Sequence, residues 1–258
     1  MFVIRSSSNA VLKRIRAVSA GKERDLILLE GDRLIDEALA CDLNLEEVVV
    51  VESRVERGAE LESRGLSVRW MDAGLLQRVS RLETSPGILA LAQRPPETPI
   101  EDFSASPESL VCVVAGIADP GNLGAVARTA EAAGCEALVS VAGSASPWNE
   151  KALRGSMGSL LRLPVSRGEA ADIRARLDAL GYRHLAAATR GGPSFDTADY
   201  SGPLALWFAS ETGEWPRGLG DLPVATIPMA GRVESLNVTV AAALMLYAAG
   251  RTVQRGDF

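Results

Sequence analysis

Three segments of this chain carry residue types that could position a reactive group, and each follows an apolar run that reads as a strand. The first is AGIADPGNLGAVARTAEAAG, where LVCVVAGI (Leu110–Ile117) leads into Asp119-Pro120-Gly121-Asn122-Leu123-Gly124 and then a helix bearing Arg128. Gly121 and Gly124 allow backbone conformations that other residues resist and would let a ligand approach. Arg128 lies near a helix N-terminus, where the helix dipole favours carboxylates. It therefore has either a task beyond the helix or an ion pair with Asp119 or Glu131. The segment is neither GxGxxG nor a P-loop, so it supports neither a dinucleotide nor a nucleoside triphosphate site.

The second segment is LALWFASETGEWPRG, with Glu211 directly after the apolar run. A carboxylate there could be a ligand contact, a general base or a helix cap. The third is VATIPMAGRVESLNVTVAAALMLYAAG, in which Gly231, Glu234, Ser235 and Asn237 precede a closing helix. One N-cap, worth about 1 kcal/mol, suffices for that helix, so either Ser235 or Asn237 is left for other work. All three segments fall at the carboxyl ends of strands, where open α/β sheets collect ligands. Other chemistries find no support. His184 is the only histidine and heads an apolar strand, and Cys41, Cys112 and Cys135 form no CxxC pair. Neither a histidine-based triad nor a metal site is expected, and the three thiols read as packing residues.

The elements needed to hold these segments follow from periodicity. Residues Ser8 to Val18 read as an amphipathic helix, with Val11, Leu12, Ile15 and Val18 on one face. Strand LILLEG, helix RLIDEALA, strand VVVV, a helix through GAELESRG, strand SVRWM, a helix after Asp72 and strand GILALAQ complete a small α/β domain, residues 1–93. Residues 94–109, with prolines at 95, 96, 99 and 107, read as a linker, since proline lacks a backbone donor and favours extended chain. Residues 110–258 form the second domain. ALVSVA, HLAAAT, LALWFAS and VATIPM join the strand at Leu110 in a largely parallel sheet with helices on both faces.

The chain of 258 residues has a net charge of −6, yet its cations are unevenly spread. Within the first 24 residues Arg5, Lys13, Arg14, Arg16, Lys22 and Arg24 face Glu23 alone. A basic patch on an acidic body can grip phosphates, because salt confines the interaction to roughly 10 Å; the same residues could equally solvate the outer face of the first helix. No apolar run approaches membrane-spanning length and the start lacks a secretory apolar region, so a cytoplasmic protein without a membrane partner is expected.

Together the three segments resemble the three motifs of the SpoU (TrmH) family of RNA ribose 2′-O-methyltransferases. Asn122, Gly124, Arg128 and Thr129 match the first motif, and IPMAGRVESLNV (Ile227–Val238) matches the third. NEKALRGSMGSLLRLPV (Asn149–Val165) is similar to the family's middle region. In the second motif Glu211 is kept, while Ala209, Thr212 and Glu214 stand where the family usually has glycine. The first domain resembles the ribosomal-protein-like RNA-binding module that many members carry.

This resemblance implies a catalytic domain with a deep trefoil knot, a homodimer through that domain, and S-adenosylmethionine as methyl donor. Ala209, Ile227 and Leu236 would hold the adenosyl part through their backbones, with Thr189, Gly213 and Met229 beside them. Arg128 would serve the 2′-hydroxyl as base or as stabiliser of its alkoxide. Asn122 and Glu211 would fix arginine and substrate, and Ser235 and Asn237 would shape the pocket. The basic start, joined by Arg154, would contact structured RNA, ribosomal before transfer RNA. Removing residues up to about Gln93 is expected to leave a folded, cofactor-binding core. The alternatives are methylation of transfer RNA and a non-catalytic RNA-binding or ribosome-assembly protein that keeps the fold.

Overall fold

The computed structural model describes residues 2–209, 215, 219 and 221–253, the last two by backbone alone. The first domain runs β1 (Val3–Ile4), α1 (Ala10–Ser19), β2 (Leu26–Glu30), α2 (Asp32–Ala40), β3 (Leu45–Val51), α3 (Val55–Ser63), β4 (Val68–Met71), α4 (Ala73–Gln77) and β5 (Ile88–Gln93). Its sheet has the order β1-β4-β3-β5-β2, parallel from β1 through β3 and antiparallel at both edges of β5. Every helix and strand expected from periodicity is present. β1 was not expected: two residues give no pattern, and pairing with β4 recruits them.

Side-chain alternation along β2 sends Leu26 and Leu28 to one face and Ile27 and Leu29 to the other. The first face packs on α1 through Leu12, Ile15 and Val18, and on α4 through Leu75 and Leu76. The second packs on α2 through Leu34 and Ile35 and continues without a break into the core of the second domain. That continuity runs counter to the expectation that the second domain stands alone after removal of residues 1–93, because the cut would leave a shared apolar face in water. Ion pairs reinforce the seam. Arg162 binds Glu131 at 2.6 Å and also Glu37 of α2, and Arg154 lies 3.7 Å from the buried carboxylate of Glu30.

The second domain runs β6 (Leu110–Ala115), α5 (Pro120–Ala132), β7 (Ala137–Val141), α6 (Glu150–Ser156), α7 (Ser159–Arg162), β8 (Val165–Gly168), α8 (Ala170–Ala179), β9 (Arg183–Ala188), β10 (Leu204–Ala209), β11 (Val224–Thr226) and α9 (Val238–Val253). All its pairings are parallel, in the order β11-β9-β10-β6-β7-β8. β8 was missed because VSRG is short and half polar. β6 is fully buried, with Leu110, Cys112 and Val114 facing the core under α5 and α9 while Val111, Val113 and Ala115 face α8. Such two-sided burial is why its sequence is an unbroken apolar run. The proline-rich stretch 94–109 is bound to this sheet: Ile100 and Phe103 are buried against it, and the Thr98 N–H donates to Val165 O at 2.8 Å.

No helix among the described residues is long and apolar enough to cross a membrane. Cys112 and Cys135 are buried free thiols and Cys41 is half-buried at the end of α2. His184, at the head of β9, is a packed residue held by two partners. The Trp207 indole N–H donates to its Nδ1 at 2.9 Å, which leaves the proton on Nε2 to meet Asp178 at 3.0 Å. Burial lowers the imidazole pKa, against the opposing pull of Asp178. A group depressed in the fold contributes stability that is complete above its unfolded pKa of about 6.5 and fades as pH falls below it. Urea midpoints should therefore fall between neutral pH and mild acid, and His184→Gln should flatten that decline. An equal decline in both proteins would remove His184 as the cause.

Candidate active site

The loop after β6 is built by its capping residues. Asp119 caps α5 by accepting from the Asn122 N–H at 2.9 Å, and Pro120 occupies the first helical turn, where its missing donor costs nothing. Lys151 of α6 holds Asp119 at 2.6 Å, and this contact, with the backbone bond, keeps the Asp119 carboxyl below the usual range. Gly124 does not open room for a ligand. It is an ordinary helical residue whose missing side chain is taken up by α6, where a Cβ would stand 2.3 Å from Ala152 O.

Arg128 is exposed on the same helix, with no ion pair or hydrogen bond to its side chain among the described residues. Its suggested ion-pair partners are engaged elsewhere, Asp119 with Lys151 and Glu131 with Arg162. Asn122 lies six residues earlier, about 9 Å along the helix axis. Neither residue lines the neighbouring cavity.

That cavity lies at the carboxyl ends of β9, β10 and β11, roofed by α9. Thr189, Ala209, Ile227, Met229 and Leu236, all expected around a cofactor, line it together with Ser235. Asn237 adjoins it but is occupied: its Oδ1 accepts from the Thr239 N–H at 2.8 Å and from the Thr239 hydroxyl at 2.6 Å, starting α9. The cap is thus Asn237, and Ser235 is the residue left over. Glu211 and Gly213 lie outside the described residues.

Sequence reasoning missed Phe208, Trp215, Ala241 and Met245, which also form the walls. On sequence alone, apolar residues in strands and helices look the same whether they face a cavity or a core. Backbone amides from Met229 to Leu236 donate to no described residue. Apolar walls beside the backbone amides of Met229, Ser235 and Leu236, which donate to no described residue, suit a flat heteroaromatic group whose edge needs hydrogen bonds, so the residues present fit an adenosyl ligand.

The cations at the N-terminus divide into two sets. Arg5 pairs with Glu52 at 3.2 Å, and Arg14 pairs with Glu23 at 3.3 Å and with Glu46. Arg16 reaches Ser7 O at 3.5 Å. Lys13, Lys22 and Arg24 have no side-chain partner among the described residues. Arg154, expected to contact RNA, stands at the domain seam with its guanidinium 3.7 Å from Glu30. No group of three or more metal-ligating side chains occurs among the described residues.

Comparison with known proteins agrees with this geometry. The profile of the SpoU rRNA Methylase family matches residues 109–247, and that of the thiostrepton-resistance methylase N terminus matches residues 1–106. The chain is 31% identical to the 23S rRNA (guanosine(2553)-2′-O)-methyltransferase RlmP of Bacillus subtilis, over 95% of this chain and 97% of that protein. It is 32% identical to the 23S rRNA (guanosine-2′-O-)-methyltransferase RlmB of Vibrio parahaemolyticus, over 74% of this chain and 81% of that one. The crystal structure of an AdoMet-bound rRNA methyltransferase from Sinorhizobium meliloti superposes with a TM-score of 0.85 at 27% identity, covering 97% of this chain and 98% of that chain.

Proposed function

Because the chain belongs to the SpoU rRNA methylase family, we propose that it methylates a ribose 2′-hydroxyl of structured RNA, ribosomal RNA before transfer RNA, using S-adenosylmethionine. The observation that carries this reading is the cavity at the carboxyl ends of β9, β10 and β11, where Thr189, Ala209, Ile227, Met229 and Leu236 meet Ser235. The trefoil knot expected of such a domain is part of the same reading.

S-adenosylmethionine, when bound, supplies an activated methyl group, so the protein's work is placement. The apolar walls and the backbone amides of Met229 and Leu236, which donate to no described residue, would hold the adenosyl part, and Ser235 lines the same cavity. Orientation of this kind can supply on the order of 7–11 kcal/mol of the barrier. A guanidinium is a fixed cation and a poor base, so Arg128 acts by stabilising the oxyanion that develops as the 2′-hydroxyl passes its proton to solvent.

The protein pairs with itself through α9. Val240, Leu244 and Tyr247 are 47%, 39% and 50% exposed, and their spacing puts them in one stripe along the helix. Leu244→Glu with Tyr247→Glu should convert a dimer into a monomer by light scattering; a wild-type protein already monomeric at working concentration would dismiss the pairing. The activity itself is tested by calorimetric titration with S-adenosylmethionine followed by tritiated-methyl transfer into 23S rRNA. Saturable binding with label in the RNA is expected; binding without transfer would favour a non-catalytic RNA-binding protein.

A further inference from the structure

A second cavity opens where the two domains meet, and the mechanism above makes no use of it. Ser19 at the end of α1, Arg24, Arg94, Trp148 between β7 and α6, and Arg167 of β8 line it.

Its charge is the first clue. Arg24 is exposed, with no partner for its side chain among the described residues. Arg94 and Arg167 share one carboxylate, Glu97, at 3.9 and 3.7 Å, so the trio stays positive. Of the carboxylates in the lining, Glu23 is engaged with Arg14 at 3.3 Å, whereas Glu150 stands 3.9 Å from Arg81 and its buried Oε2 accepts no hydrogen bond from a described residue.

Unmet hydrogen bonds are the second. Trp148 is only 9% exposed, yet its indole N–H has no acceptor among the described residues, and the buried hydroxyl of Ser19 has no partner either. A buried donor left unpaired costs about 1–3 kcal/mol, a penalty that a ligand rich in acceptors would remove.

Position is the third. Trp148 follows the carboxyl end of β7, on the same sheet edge as the proposed methyl-transfer cavity. Between them stand β6 and its loop, tied to α6 by the Lys151–Asp119 pair. β7 is two strand spacings from β10, about 10 Å.

Resting on the reading of this chain as an RNA ribose methyltransferase, we propose that the interdomain cleft seats an unpaired nucleotide of the substrate strand, close in sequence to the one that is methylated. Arg24, Arg94 and Arg167 hold its phosphates, while the Trp148 N–H and the Ser19 hydroxyl meet acceptors on its base or ribose. Sequence-specific RNA recognition commonly takes splayed, unstacked nucleotides in this way. The cleft would thus set which nucleotide reaches the cavity.

The test uses the full chain and 23S rRNA transcribed in vitro, with affinity measured across a range of salt. Arg24→Ala with Arg94→Ala should weaken binding about tenfold at roughly 0.15 M salt and lower the salt slope by about 2. Trp148→Phe should weaken binding several-fold with an unchanged slope. All variants should bind S-adenosylmethionine as the parent does, which separates a lost contact from a lost fold. Arg24→Ala alone serves where the others are unstable, since Arg24 is exposed and unpaired. Tight rRNA binding equal in parent and variants overturns the cleft and leaves the methyltransferase reading intact. A parent that neither binds nor methylates rRNA overturns both.

Discussion

Replacing Arg128 with alanine is expected to lower methyl transfer about 10²–10³-fold, the usual cost of removing one donor from a developing oxyanion, while S-adenosylmethionine binding stays the same. The two effects separate because Arg128 lies outside the cavity that would take the cofactor. It is exposed and unpaired among the described residues, so its loss strands no buried partner, and alanine is the better helix former. The fold should be as stable as before. Single-turnover transfer of a tritiated methyl group, beside a calorimetric titration, reads both quantities. Unchanged turnover would remove Arg128 from the mechanism; lost cofactor affinity would make it a binding residue instead.

Gly124→Ala has the largest expected effect on stability. In an exposed helix this change would stabilise by roughly 0.5–1 kcal/mol. Here the new Cβ would lie 2.3 Å from Ala152 O and 2.9 Å from Ser156 N. Both neighbours are backbone, so no rotamer can relieve the clash and α5 must move off α6. Overpacking of this kind costs about 1–3 kcal/mol, and at this chain length each kcal/mol lowers the melting temperature by about 2–4 °C. Since α5 also carries Asn122 and Arg128, activity should fall with stability. A melting temperature equal to or above the parent's would show that the helices are not in tight contact at this glycine.

The contrast between these two residues shows what a sequence displays and what it hides. Strands buried on both faces, such as β6, and the amphipathic α1 declare themselves through period and composition. β1 and β8 do not, because pairing with β4 and β7 makes them strands. Of the cavity, local signals marked Ser235, among the polar residues after the strand at Ile227, while Thr189, Ala209, Ile227, Met229 and Leu236 came from the resemblance to the SpoU family. The cavity walls at Phe208, Ala241 and Met245 were marked by neither, since an apolar side chain looks the same facing a core or a ligand.

Gly124 looked like a place for a ligand because its neighbour in space, α6, is distant in the chain. Arg154 looked like a free cation for the same reason: its partner Glu30 lies in the other domain. Between Ser235 and Asn237, sequence required one cap and one free residue but could not choose. The Thr239 contacts make the choice.

Ribose methylation itself is tested most directly by treating 23S rRNA with the protein and S-adenosylmethionine, digesting it to nucleosides and identifying the product by mass spectrometry. A new 2′-O-methyl nucleoside is expected, absent when Arg128→Ala replaces the parent. A methyl group found on a base, or no added methyl although S-adenosylmethionine binds, would contradict it.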